Sequence, residues 1–149
     1  MIFSNEILFL TSTVEWTPKF DKEYVKYPAP KPYDYTMGQQ FCAEAGGILP
    51  QPLSRDDEFN LRIVLVSRPL AKYYALGMEY LDPFWVWRSN DAWVNYFNWM
   101  NNYPQPNREY VWYDVRFDGW NNQPLTSYGN ANDDLAILCQ RQGKSVLIV

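Results

Sequence analysis

The chain has 149 residues, a formal net charge of −4, two cysteines, no histidine and 18% aromatic residues. At this length roughly 70% of the surface exposed by the unfolded chain can be buried, so one domain with a full hydrophobic core is expected without dense disulfide stapling. The lack of histidine removes the commonest general base and zinc ligand, and two cysteines cannot complete a four-coordinate site, which excludes zinc chemistry and Ser-His or Cys-His catalysis. An excess of 17 acidic over 13 basic residues, with no basic run, argues against a nucleic-acid partner. No apolar stretch approaches the ~20 residues that cross a bilayer, so no membrane insertion is expected. The first ten residues lack a basic start and carry Glu6, and do not read as a signal peptide.

Residues 1–26 combine Ile7-Leu8-Phe9-Leu10 and Thr11-Ser12-Thr13-Val14 with Trp16, which suits one or two strands and a turn near Thr17-Pro18. Pro28, Pro30 and Pro32 at alternate positions favour extended chain and withhold ladder donors. That places an extended or β arm over residues 1–30 ahead of a domain over residues 31–149; an ordinary extended loop within one domain is the other reading. Thr36 with Gln39 has the form of a capping box, and Gly46-Gly47 is suited to end the helix that follows, with Phe41 and Ala45 on one face. Ser54, followed by Asp56 and Asp57, offers a second cap with acids in the first turn, and that helix runs to Ser67, short of Pro69.

From Tyr73 onward the sequence is aromatic and Asn-rich, with strands expected at Phe84–Trp87, 110–115 and 136–139. The intervening loops are too long for hairpin turns, and long ordered loops over a small sheet commonly carry function. Helices first and strands later indicate an α+β domain. No Asn-x-Ser/Thr sequon occurs, so no N-linked glycan is expected.

Seven groups of residues, in order, carry a resemblance: Phe41-Cys42 with Gly47 and Leu49; Pro52, Ser54 and Glu58; Phe84-Trp85-Val86-Trp87; Asn98-Trp99; Gln105-Pro106-Asn107; Trp120-Asn121-Asn122; and Ala136-Ile137-Leu138-Cys139. Together they resemble the C-type lectin-like domain from about Pro32 to Arg141. The resemblance implies a double-loop α+β fold, with two helices flanking a small antiparallel sheet beneath a long loop. It also implies a disulfide between Cys42 and Cys139, the alternative being two buried thiols in a reducing compartment. The family's inner disulfide falls near Tyr110 and Leu125, neither of them cysteine, so the loop must be held by packing. Trp87 stands where the family has a small glycine and needs extra room or another direction.

In sugar-binding members of that family a loop calcium grips two sugar hydroxyls, and calcium takes six to eight oxygens, several of them anionic. Gln105-Pro106-Asn107 resembles the Glu/Gln-Pro-Asn/Asp motif of that site, with Pro106 the expected cis proline. Asn121 matches the asparagine of its Trp-Asn-Asp motif, while Asn122 replaces the aspartate. Glu109 is the one carboxylate left, one place off the usual offset. The resemblance therefore implies a calcium site of Gln105, Asn107, Glu109, Asn121 and Asn122 that is weak or absent, since one negative charge poorly compensates the ion. The other reading of residues 105–107 is a polar turn whose amides cap neighbouring backbone.

The leading expectation is a non-enzymatic, extracellular or cell-surface recognition module that binds a glycan or a protein through its long-loop face. The same five residues and Tyr103 form the ligand-binding set, with Trp112, Tyr113 and Tyr128 as further loop aromatics. Trp85, Trp99 and Trp120 match buried positions. The alternative is a structural subunit or adhesin acting through self-assembly or a multidomain context, with an N-terminal strand and the apolar segment Ser145–Val149 as contacts, unless those ends pair with each other. A glycosidase pair of Asp114 with Asp118 or Asp133 has no support in the sequence.

Overall fold

The computed structural model describes residues 14–30, 33–125 and 134–143. The remaining stretches, which include Ile7–Thr13, Tyr128, Asp133 and Ser145–Val149, lie outside the described residues. In chain order the elements are strands β1 (Thr17–Lys19) and β2 (Lys22–Pro28), helices α1 (Tyr35–Ala45) and α2 (Arg55–Ser67), and strands β3 (Tyr73–Leu81), β4 (Phe84–Trp87), β5 (Tyr110–Asp114), β6 (Gly119–Asn121) and β7 (Leu135–Gln142).

Local chemistry sets both helices. The α1 cap is Asp34, whose carboxylate accepts from the Met37 N–H at 2.9 Å, two residues earlier than the expected Thr36 box. Tyr35 is buried and its hydroxyl donates to the Leu76 carbonyl at 3.0 Å, so burial draws the helix start back by two residues. Gly46 ends the helix at φ 96°, a left-handed value that costs glycine nothing. Gly47 follows because a Cβ there would sit 2.5 Å from the Gln140 carbonyl oxygen, inside the bridge between Ile48 and Gln140. Ser54 caps α2 as expected, accepting from Asp57 N–H at 3.1 Å. At the far end Lys26 donates to the Val64 and Arg68 carbonyls at 2.7 and 2.8 Å, a cation satisfying the last turn.

The seven strands form one sheet in the order β1-β2-β7-β3-β5-β6, with β4 pairing β3. All pairings are antiparallel except β3 with β7, so the sheet is mixed rather than wholly antiparallel. Residues 17–19, expected at a turn, are strand; the chain reverses at Phe20-Asp21. β2 pairs with β7 over seven residues, from Lys22 with Gln142 to Pro28 with Ala136, so residues expected in a separate arm lie within the domain's sheet. Cys42 and Cys139 form the disulfide, tying α1 to β7.

Each sheet face carries its own core. On one face, Leu61, Val64 and Leu65 of α2 pack with Tyr74, Leu76, Met78, Trp87 and Trp120. On the other, Phe41 and Cys42 of α1 pack with Val25, Ala75, Trp112 and Ile137. Trp87 finds its room inside the first core, 2% exposed and edge-on to Trp120 at 6.5 Å.

Candidate functional site

Between β4 and β5, residues 88–109 contain no regular helix or strand, and side chains fasten them to the sheet. The deepest fastening is the carboxylate of Glu58, on the first turn of α2 and fully buried. It accepts hydrogen bonds from the Tyr96 hydroxyl at 2.6 Å, the Asn98 amide at 3.1 Å and the Trp120 indole N–H at 2.7 Å. Burial pushes the Glu58 carboxyl above its usual range, while these three donors pull it back down. Tyr96 is pushed up to about 12, by burial first and by its bond to Glu58 second, and so remains a donor at every physiological pH. Around this carboxylate Trp85, Tyr96, Phe97, Trp99 and Trp120 meet edge to face or tilted.

The second fastening is Asn122. Its side-chain oxygen accepts from the Gln105 N–H at 2.8 Å, and its amide donates to the carbonyls of Gln105 at 2.8 Å and Arg108 at 3.3 Å. Asn121 is buried as well; its oxygen accepts from Gln123 N–H at 3.2 Å and its amide faces the Met100 sulfur at 3.8 Å. The Gln105 side-chain amide donates to the Asn102 carbonyl, in the manner of a capping turn. Asn107, at φ 63°, and Glu109 are exposed, and Tyr103 is half-buried. Where the family's inner disulfide would stand, Tyr110 stacks on Tyr35 at 4.4 Å and 12°, and Leu125 packs against the α1-side core.

These positions fit a calcium ion poorly. The cis peptide in this loop precedes Pro104, not Pro106, so the expected presentation of Gln105 and Asn107 by a cis bond between them does not occur. The Asn121 and Asn122 oxygens are both engaged by backbone N–H groups, and Glu109 is the one carboxylate in the set. Among the described residues no three Asp, Glu or Cys side chains converge as a metal-holding group.

Two loop aromatics of the sequence reading are core residues. Trp112 is 3% exposed and donates its indole N–H to the Gln123 carbonyl, while Tyr113 is fully buried and donates to Asp118 at 2.6 Å. Both lie on β5, where the sheet is covered on each side. Asp114 is buried against Arg116 at 2.8 Å, and Asp118 takes Arg55 at 3.0 Å and Arg62 at 3.7 Å. Sequence reasoning missed the Glu58 hub, whose partners lie 38 to 62 residues away. It also missed Phe84 and Trp93, which stack on the surface at 4.3 Å. The signal for Phe84 was present: in Phe84-Trp85-Val86-Trp87 strand alternation sends Trp85 and Trp87 inward and therefore Phe84 outward, whereas nothing comparable marks Trp93.

The arrangement, with two helices, a mixed sheet, an outer disulfide and a long loop pinned above it, is the C-type lectin-like fold. The mouse scavenger receptor C-type lectin carbohydrate-recognition domain aligns over 89% of this chain and 97% of its own, with 18% identity and a TM-score of 0.65. The cow C-type carbohydrate-recognition domain of CD23, solved in the presence of a GlcNAc2Man3 oligosaccharide, aligns over 87% and 95%, with 18% identity and a TM-score of 0.67. A calcium-independent type II antifreeze protein aligns over 85% and 91%, with 15% identity and a TM-score of 0.65. No family model and no curated protein matches the sequence.

Proposed function

We propose that the chain is a non-enzymatic extracellular recognition module that binds a glycan through residues 101–109 without requiring calcium. The observation that carries this reading is the Asn122 clamp. A loop held from beneath by three side-chain hydrogen bonds keeps a fixed shape with no metal, and leaves Asn107 and Glu109 turned to solvent to meet hydroxyl groups. Support comes also from two proteins that share this fold: the CD23 domain, solved in the presence of an oligosaccharide, and the antifreeze protein, which is calcium-independent. The Cys42–Cys139 bond accords with an oxidising compartment. A glycan array probed in chelator and in millimolar calcium tests the reading. Equal binding in both, lost in Gln105→Ala/Asn107→Ala, is expected; binding that needs calcium overturns it.

A second reading, assembly with other protein chains, is favoured by β1, a sheet edge among the described residues, and by Phe20 in the turn that follows it, 81% exposed. Concentration-dependent sedimentation that Phe20→Ser abolishes would support it.

A further inference from the structure

The face of the sheet covered by α1 continues past the start of that helix, and the register shows what it carries there. Cross-strand partners in a ladder share a face. Leu81 pairs with Phe84, Glu79 pairs with both Val86 and Tyr110, and Val86 is bridged to Trp93. One rung therefore reads Trp93, Val86, Glu79, Tyr110, and three strand spacings make it ~14 Å wide. The opposite face holds Trp85 and Trp87 and is closed by the α2-side core.

The two ends of this rung are built alike. Trp93, 65% exposed, is backed by Phe84 at 4.3 Å and 11°; Tyr110, 37% exposed, is backed by Tyr35 at 4.4 Å and 12°. Each ring has one face held by a stacked partner and is thereby fixed in orientation, with its other side turned away from that partner. Between them lie charges. Arg88 is 3.1 Å from Glu79 and 3.7 Å from Asp91, whose side chain is 79% exposed. Beside Arg88 a recess of about 110 Å³ opens between α1 and β3, with Gln39, Gln51 and Ser89 among its lining residues.

We propose that this face is a second, calcium-independent ligand site for a short β-1,4-linked pyranose oligosaccharide of the glucose or N-acetylglucosamine type. Such chains are flat ribbons with all ring substituents equatorial, so their C–H faces lie on aromatic rings while their edges present hydroxyls as donors and acceptors. Two backed rings carried at the two ends of a rung whose backbone is ~14 Å wide, with a carboxylate and a guanidinium between them, match that alternation. The recess accepts a hydroxymethyl or acetamido branch. A protein partner is a poorer match, because the centre of a protein interface is depleted in charged residues and this centre is an ion pair.

The probes are cellotriose and triacetylchitotriose, titrated by calorimetry and by the tryptophan indole N–H signals of the full chain in chelator. Saturable binding of at least one that moves the Trp93 signal is expected. Trp93→Ala weakens it about tenfold, the scale of one aromatic contact, Trp93→Tyr weakens it less, and Phe59→Ala, which removes an exposed ring of α2 on the opposite side of the sheet, leaves it unchanged. The tyrosine variant guards against misfolding, since it keeps a ring that can stack on Phe84. Absence of binding by both trisaccharides overturns the proposal, as does binding that Trp93→Ala leaves intact. Binding lost in Asn107→Ala but kept in Trp93→Ala would place the sugar on the 101–109 loop instead, supporting that reading while refuting this one.

Discussion

The lower body and the long-loop region of this domain are held together by different means. Below, backbone ladders do most of the work: β2 and β7 pair over seven residues, and the disulfide crosses from α1 to the same strand. Above, residues 88–109 contribute no regular strand, and their order rests on side chains reaching the backbone or one another. Glu58 gathers Tyr96, Asn98 and Trp120, while Asn122 holds residues 105–108. The difference shows how a loop of this fold stays ordered without its second disulfide: buried amides and one buried carboxylate replace covalent closure, at about 1 kcal/mol per neutral hydrogen bond and more where an ion accepts.

The largest effect belongs to the body. Replacing Cys42 and Cys139 together by serine opens a loop with a sequence separation of 97, and should lower stability by about 4–5 kcal/mol on chain-entropy grounds. Urea unfolding of the variant against the oxidised protein measures it. A loss under about 1 kcal/mol would mean that the ladder between β2 and β7 alone closes the body, erasing half of the contrast.

Glu58 joins the two regions and comes next. Glu58→Ala leaves the Trp120 indole and the Asn98 amide without their buried acceptor, and should cost about 3 kcal/mol. Glu58→Gln is nearly isosteric: its oxygen can keep Asn98 and Trp120, and the Tyr96 hydroxyl can turn to accept from the new amide. The pair also has a pH signature. Because burial raises the carboxyl in the folded state, the folded protein holds this proton more tightly than the unfolded chain. The contribution of Glu58 is therefore most favourable below its unfolded value and declines as pH rises from there through the folded value. The stability of wild type relative to Glu58→Gln should fall over that interval and level off above it. A difference that is flat with pH, in melts from pH 4 to 8, would show that the three donors cancel the cost of burial.

The parts of this contrast that were legible in the sequence are the ones with local causes. Ser54 and Gly46 punctuate the helices within a few residues, and the order of seven short motifs was enough to pair Cys42 with Cys139 through a family resemblance. β3 left no comparable trace, because five successive residues, Tyr74 to Met78, are buried on both faces and the polar alternation that marks a strand is missing. β2 hid among Lys22, Glu23 and Lys26, charges that serve partners on α2 and β7. Trp112 and Tyr113 read as loop aromatics because nothing nearby showed that both sides of β5 are covered. Glu58 entered the sequence reading only as one residue of the family resemblance, because its three partners come from elements brought to it only by the fold.

The smallest effect separates the loop from everything beneath it. Asn122→Ala removes two donated bonds and one accepted bond, but the Gln105 and Arg108 backbone groups they served lie on a half-exposed loop and can turn to water. The loss in global stability should therefore be about 1–2 kcal/mol, less than three buried bonds would suggest. Local opening should change far more, since the clamp is what raises the free energy of lifting residues 101–109 off the sheet. Limited proteolysis would then cut within that segment at least tenfold faster in Asn122→Ala, while hydrogen exchange in β2 and β7 stays as slow as in the parent. Equal acceleration in both places would mean that the loop and the body open as one cooperative unit, and that Asn122 belongs to the core in the same sense as Trp120. Acceleration in the loop alone would establish that residues 101–109 have a stability of their own, set by a single amide.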